Sequence, residues 1–310
     1  MNNIICIAGP TASGKTALSI ALAKELDGEV VSCDSMQIYR RMDIGTAKPT
    51  KEEMDGIPHH MIDICEPDED FSVSRYCEIA APIVDDILAR GKTAIIAGGT
   101  GLYMDSLVRG NDFAPFPATG HRERLESRLE AEGLEPLIAE LQAVDPESVI
   151  RAQNNPRRII RALEVWLETG ETITSHNLRT QAIPPRYSPV WFALEDENRQ
   201  DLYDRIDRRV TVMLEQGLVE EIKKLLASGI PADCTAMQAI GYKEFIEALD
   251  NRCTIEEAAD RVRQSSRRYA KRQLTWFRRN PAMHWLRRKP SDTTAEILEQ
   301  ARQLLRDSDN

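Results

Sequence analysis

Gly9-Pro10-Thr11-Ala12-Ser13-Gly14-Lys15-Thr16 fits G-x-x-x-x-G-K-[ST]. It stands between a strand-length apolar run, Ile4 to Ala8, and a segment with helical apolar spacing at Leu18, Leu22 and Leu26. Strand, glycine loop and helix in that order form the setting in which such a loop holds phosphate. Gly9 and Gly14 let the backbone turn so that amide N–H groups and the helix N-terminus face one anion. Lys15 adds a mobile positive charge, and the Thr16 hydroxyl can ligate Mg²⁺. A diphosphate or a nucleotide such as ATP is therefore expected at residues 9 to 16. The loop alone does not distinguish attack on phosphorus from departure of an intact diphosphate.

Two further apolar runs end in reactive residues: Glu29 to Cys33 stops at Asp34, and Thr93 to Ala97 stops at Gly98-Gly99-Thr100. A fourth run, Val190 to Leu194, comes only after a long gap. Continuous apolar strands separated by helices predict an α/β protein whose parallel sheet is covered on both faces, with ligands beyond the carboxyl ends of the strands. The gap is rich in Glu, Leu and Arg and punctuated by proline, with helical stretches at Arg122 to Ala131, Leu134 to Val144 and Pro156 to Thr169. It reads as a helical insertion over residues 113–186 in a core formed by 1–112 and 187–310. Beyond Leu194, Val210, Met213, Leu214, Leu218, Ile222, Leu225 and Leu226 are expected on one face of a single helix starting near Gln200.

The chain carries a formal charge of -10, which argues against a nucleic-acid partner until its distribution is considered. From Arg261 to Lys289 there are 11 basic residues and no acidic one, so the other 281 residues carry a net charge of -21. On a helical wheel with Arg261 at the origin, Val262, Tyr269, Trp276 and Phe277 fall between about 60° and 160°. All eight basic residues from Arg261 to Arg279 fall on the opposite half. One face is expected to pack and the other to form a cationic ridge toward RNA phosphates. Six cysteines without a C-x-x-C pair read as reduced packing residues. His59-His60 with Asp63 lacks metal-ligand spacing and suits packing or hydrogen bonding in a pocket. A mean hydropathy of -0.41 and no apolar run near twenty residues predict no membrane span. An N-terminus without signal-peptide character predicts a cytoplasmic protein.

The loop at Gly9 to Thr16, then Asp34 to Tyr39, Gly45 to Pro49, Pro58 to Asp63 and Gly98 to Tyr103, resemble the bacterial tRNA dimethylallyltransferases (isopentenyltransferases) in order and spacing. The resemblance continues through Arg158 to Glu164, Ala239 to Glu244 and Tyr269 to Arg278, covering about residues 3 to 280. It implies a P-loop kinase-like core with an inserted, anticodon-contacting helical domain. The implied activity is transfer of a dimethylallyl group from dimethylallyl diphosphate to N6 of the adenosine 3′ of the tRNA anticodon, with Mg²⁺ at Thr16. Strand-end placement puts Asp34 near the loop, and the resemblance assigns it as the base, with Lys15 and Thr100 as further catalytic residues. The same resemblance implies tRNA contacts at Asp34, Ser35, Met36, Gln37, Thr100, Arg122, Arg157, Arg158, Arg161, Gln238, Gly241, Tyr242, Lys243, Lys271 and Arg272. The anticodon stem-loop is the expected macromolecular partner, and no obligate protein partner is implied. Three other readings share the loop: a small-molecule kinase, an isopentenyltransferase acting on free adenine nucleotides, and a nucleotide-gated RNA-binding protein. The basic segment and the insertion favour tRNA over the first two.

Overall fold

Strand β1 (Ile4–Ala8) is buried along its whole length. Ile4, Cys6 and Ala8 enter the core on one side, Ile5 and Ile7 on the other, so a strand covered on both faces needs no polar alternation. This computed structural model describes residues 3–110 and 119–308. The chain divides into two compact units, Met1–Gly110 with Arg186–Asn310, and Asn111–Pro185; the expected insertion ran from 113 to 186.

In the larger unit β1 is joined by β2 (Gly28–Cys33), β3 (His59–His60), β4 (Thr93–Gly98), β5 (Val190–Asp196) and β6 (Met283–Arg288). All pairings are parallel, in the order β3-β2-β4-β1-β5-β6. The sequence indicated β1, β2, β4 and β5. It missed β3, which has two residues, and β6, whose buried Met283 and Leu286 lie among basic neighbours.

Helices α1 (Lys15–Glu25), α2 (Lys51–Met54), α3 (Val73–Ala89) and α4 (Gly101–Arg109) precede the insertion. The insertion holds α5 (His121–Glu132), α6 (Glu135–Val144), α7 (Pro146–Ala152), α8 (Pro156–Thr169) and α9 (Ile173–Gln181). After it come α10 (Arg199–Glu215), α11 (Leu218–Ala227), α12 (Tyr242–Leu249), α13 (Ile255–Phe277) and α14 (Thr294–Ser308). Leu18 and Leu22 of α1, with Ile297 and Ala301 of α14, cover one face of the sheet. Tyr76 and Val84 of α3, with Met104 and Leu107 of α4, cover the other. A second cluster joins α10 to α13 with Ile38, Tyr39 and Met42. The single helix expected from Gln200 to Leu226 is two, because Gly217 adopts φ 97°, where the α-helical path stops.

The ends of the core at the insertion are joined to each other. Arg186 N donates to Arg109 O at 3.2 Å and Tyr187 N to Val108 O at 3.1 Å, while the Tyr187 hydroxyl donates to Asp85 Oδ1 at 2.7 Å. The insertion has its own core of Leu125, Leu137, Leu141, Ile159, Ile160 and Leu163. Its Asp145 caps α7 and also accepts from Thr174 N at 3.1 Å and Thr174 Oγ1 at 2.7 Å. Among the described residues no helix is long and apolar enough to cross a membrane, and all six cysteines are free.

Glu29 of β2 is a buried carboxylate on the face covered by α3. Arg90 grips it through two bonds of 2.5 and 2.9 Å, and the His60 ring meets it at 2.8 Å. Arg90 first, then His60 and Lys92, hold it down from the ordinary 4.5 to about 2. A carboxyl depressed on folding stabilises the fold above its unfolded value and loses that contribution as pH falls toward its folded one. Glu29→Gln should therefore lower stability at pH 7 and flatten the decline between about pH 4.5 and 2, as read by urea unfolding across that range. A wild-type slope retained in the variant would place the acid sensitivity elsewhere.

Candidate active site

The phosphate loop leaves β1 at Gly9 and enters α1 at Lys15. Ala12 and Gly14 take positive φ, 62° and 94°, and the turn at Gly14 is the kind that glycine adopts at least cost. Four side chains bond to the loop backbone. Lys15 Nζ donates to Pro10 O at 2.7 Å, Arg205 Nε to Ala12 O at 2.9 Å and Arg288 Nη1 to Ser13 O at 3.3 Å. Gln273 Oε1 accepts from Thr11 N at 3.0 Å. Pro10 has no N–H and Thr11 spends its own on Gln273, so the anion-facing amides narrow to those after Thr11.

Gln273 also donates from Nε2 to Gly99 O at 2.9 Å, and a Cβ on Gly99 would lie 2.1 Å from that nitrogen. The turn after β4 is thereby fastened to the phosphate loop. Thr100 stands at the N-cap of α4, but its hydroxyl makes no cap bond. It accepts instead from Ser35 N at 3.0 Å, across to the turn after β2. In that turn Asp34 Oδ1 accepts from Met36 N at 2.9 Å. Gln37 continues the chain of supports, with Oε1 accepting from Ser32 Oγ at 3.0 Å and Nε2 donating to Ala47 O at 3.2 Å.

These turns open on a cleft of about 370 Å³ lined by Lys15, Thr16, Asp34, Ser35, Met36 and Gln37, and by Arg209, Gln238, Gly241, Tyr269 and Arg272. Burial pulls the Lys15 ammonium down to about 8, opposed by the Asp34 carboxylate. The Arg209 guanidinium is lowered by burial, again against Asp34. Burial first, and Asp34 next, push the Tyr269 phenol up to about 12. Two half-buried cations share one carboxylate, a positive balance that an anion would complete. His59 also lines the cleft. Its ring meets Ile57 O at 2.8 Å, which requires the proton on Nδ1 and leaves a lone pair on the buried Nε2.

Of the residues expected to touch RNA, one has its side chain engaged inside the fold. Tyr242 is wholly buried, with its ring over Gly45 and its hydroxyl donating to Glu221 Oε1 at 2.6 Å. It holds the loop after β2 and does not offer its side chain to a partner, while its neighbour Lys243 is exposed. Arg122, Arg157, Arg158 and Arg161 belong to the insertion. There Arg161 reaches Glu164 Oε2 at 2.7 Å and Arg122 reaches it at 3.5 Å, Arg158 Nη1 donates to Arg151 O at 3.1 Å, and Arg157 is exposed.

The cationic ridge is narrower than its composition. Arg261 pairs with Glu247, Arg263 with Asp260, Arg267 with Asp207 and Arg278 with Glu195. Among the described residues Arg268, Lys271, Arg272 and Arg279 make no ion pair; Arg272 lies over the Tyr269 ring at 5.5 Å and Arg279 over Trp276 at 5.5 Å. A window of sequence free of acid says nothing of acids that the preceding turn of the same helix, other helices and a strand bring to it.

Arg209 and the linking role of Gln273 were not read from the sequence. Gln273 left a signal, a glutamine on the apolar stripe of α13, where a buried amide must find two partners. Tyr269 was expected to pack and instead lines the cleft. Arg209 flanks the buried Ile206 and Val210 with nothing to distinguish it from a solvated arginine.

A parallel sheet with a glycine loop of the phosphate-binding pattern after its central strand and an acid at the next strand end defines a P-loop, kinase-like α/β protein. The chain belongs to the IPP transferase family, whose profile matches residues 37–280. It is 47% identical over 285 residues to a tRNA dimethylallyltransferase of Thermoanaerobacter sp. (strain X514), covering 91% of this chain and 90% of that one. With the enzyme of that name from Halalkalibacterium halodurans it shares 46% over 298 residues, 96% and 94% of the two chains. The solved tRNA isopentenylpyrophosphate transferase of Bacillus halodurans superposes with a TM-score of 0.74 at 43% identity, over 98% of this chain and 96% of that one. A eukaryotic dimethylallyltransferase acting on tRNA gives a TM-score of 0.82 at 27% identity, over 99% and 80%.

Gln273→Leu removes both bonds while keeping a similar volume, leaving Thr11 N–H and Gly99 O without this partner. The expected loss is about 2 kcal/mol in urea unfolding, together with a large fall in turnover. Arg272→Leu, one residue away and exposed, should change stability by less than about 0.5 kcal/mol. Equal stability losses in the two variants would show that the link between the turns contributes nothing.

Proposed function

We propose that this protein transfers the dimethylallyl group of dimethylallyl diphosphate to N6 of the adenosine 3′ of the anticodon in tRNA. The observation that carries this reading is the convergence of Asp34, Lys15 and Arg209 on one cleft. A single carboxylate stands where a proton can be taken, and two cations stand where a leaving group can be held. The names of the relatives support tRNA as the acceptor.

The chemistry follows from that arrangement. The adenine amine is a weak nucleophile, so its proton leaves as the new bond forms: N6 bonds to the allylic C1, the C1–O bond to diphosphate breaks, and Asp34 takes the proton. Positive charge develops on the allylic carbon and negative charge on the diphosphate. Lys15, Arg209 and the loop amides after Thr11 stabilise the latter. Thr100 orients the Asp34 turn through Ser35. The adenine leaves its stack to reach the cleft, with Gln238, Gly241 and Arg272 at the rim and Lys243 and Lys271 exposed for backbone contact. The insertion arginines Arg122, Arg157, Arg158 and Arg161 contact the anticodon stem-loop in this reading.

The residues present fit Mg²⁺ held jointly with the donor. Thr16 is exposed to the cleft at the start of α1, and no cluster of three His, Cys, Asp or Glu among the described residues holds a metal by itself. Such a division of ligands is usual for Mg²⁺ on phosphates. Bound there, the ion neutralises diphosphate charge.

Incubation with labelled dimethylallyl diphosphate, Mg²⁺ and either unmodified tRNA or AMP tests the assignment: label should enter tRNA and not AMP, and a preference for AMP would overturn the acceptor. Asp34→Asn should slow transfer by about 10²- to 10⁴-fold with tRNA binding retained. Loss of tRNA binding in proportion to rate would remove Asp34 as the base. Lys15 holds its proton only below about pH 8, so kcat/KM for the donor should decline as pH rises through that value. A bound diphosphate raises that value, so kcat at saturating donor should lack this limb. A pH-independent kcat/KM would leave the ammonium without a part in donor binding.

A further inference from the structure

The strand after the family match delivers a side chain to the phosphate loop. Arg288 of β6 stands in register with Asp196 of β5, and its backbone carbonyl accepts from Glu197 N at 3.0 Å. Its Nη1 donates to Ser13 O at 3.3 Å and lies 3.2 Å from the point where Gly14 would carry a Cβ. Arg205, steadied by Asp196 at 2.5 Å, takes the preceding carbonyl, Ala12 O, at 2.9 Å. We propose that Arg288 is a positioning residue for the diphosphate, holding the Ser13 carbonyl outward so that the Gly14 N–H faces the anion. This rests on residues 9 to 16 being the diphosphate site.

A peptide unit is planar and trans, so its C=O and N–H point to opposite sides. To fix the Ser13 carbonyl outside the loop is to fix the Gly14 N–H inside it. The Ser13–Gly14 peptide is the one the chain itself determines least, because glycine passes between left- and right-handed regions at little steric cost. A flip would aim a carbonyl at the phosphate and withdraw a donor. A charged donor on the outer side opposes that flip.

Nothing else in its surroundings accounts for the guanidinium. Arg288 makes no ion pair among the described residues, and its Nε is buried without a partner, as is the hydroxyl of Ser13, the residue whose carbonyl it holds. A strand, rather than a loop, carries it, so its distance to the phosphate loop is set by the β5–β6 pairing.

The test uses the full chain. Titration calorimetry with inorganic diphosphate and Mg²⁺ should show Arg288→Ala binding about tenfold more weakly than wild type, the worth of one bond to a charged group. KM for dimethylallyl diphosphate should rise to match, with KM for tRNA unchanged. Arg288→Gln, whose amide ends about where Nε stood and falls short of Ser13 O, should show most of the loss and carries the test if the alanine variant does not fold, while Arg288→Lys, a charged donor of nearly the original reach, should recover part of it. Arg287→Ala, the same charge change on the exposed neighbour, should bind as wild type. Wild-type affinity in Arg288→Ala, or an equal loss in Arg287→Ala, would overturn the inference. Because diphosphate binding needs neither tRNA nor prenyl transfer, failure of this inference stays distinct from failure of the assigned reaction.

Discussion

One buried amide ties together the turns in which the chemistry lies. Gln273 accepts from the phosphate loop and donates to the turn after β4, and its burial is tolerable because both ends are used. The two backbones it joins end neighbouring strands of the sheet, so the docking of α13 depends on the shape of both turns. Tyr269, one helical turn earlier, is carried into the cleft by the same anchoring, with Arg272 above its ring. Lys271 and Arg272, expected to meet RNA, are therefore carried on the same helix that fastens the phosphate loop.

A carboxylate does for the loop after β2 what the Gln273 amide does for the phosphate loop. Glu221 of α11 accepts from the amides of Asp43, Ile44 and Gly45 at 2.9, 2.8 and 3.2 Å, and from the Tyr242 hydroxyl. The stretches around Gly45 and Tyr242 lie far apart in sequence and each looks like a binding motif. They are packed on each other: a Cβ on Gly45 would lie 2.4 Å from the Tyr242 ring. Part of what resembles recognition chemistry is the scaffold that shapes the cleft.

The core was legible where burial on both faces imposes continuous apolar runs, as in β1, β2, β4 and β5, and where Gly9 and Gly14 punctuate them. The cradle and Asp34 were legible for the same reason, since each follows a strand directly. β6 was not, because Met283 and Leu286 are too few to outweigh Arg287 and Arg288 in any local pattern. The break at Gly217 was hidden by an apolar periodicity that continues in phase through Leu218 and Ile222, both buried in the same cluster as Val210. Arg209 was invisible because its distinction is tertiary: only the folded chain sets it against Thr11 and Asp34. The basic ridge erred in the opposite direction, since half of its charges are answered by acids from outside the segment.

The closed seam at Val108, Arg109, Arg186 and Tyr187 has a consequence for how such a protein can change over time. Both ends of the insertion leave from backbones already hydrogen-bonded to each other, so the core needs only a short loop to span the gap, and loop closure adds little with length. The insertion is thus a cassette. Its length and surface can drift, or be exchanged for another module, without disturbing the register of the sheet that holds the cleft, so the two units can evolve on separate schedules.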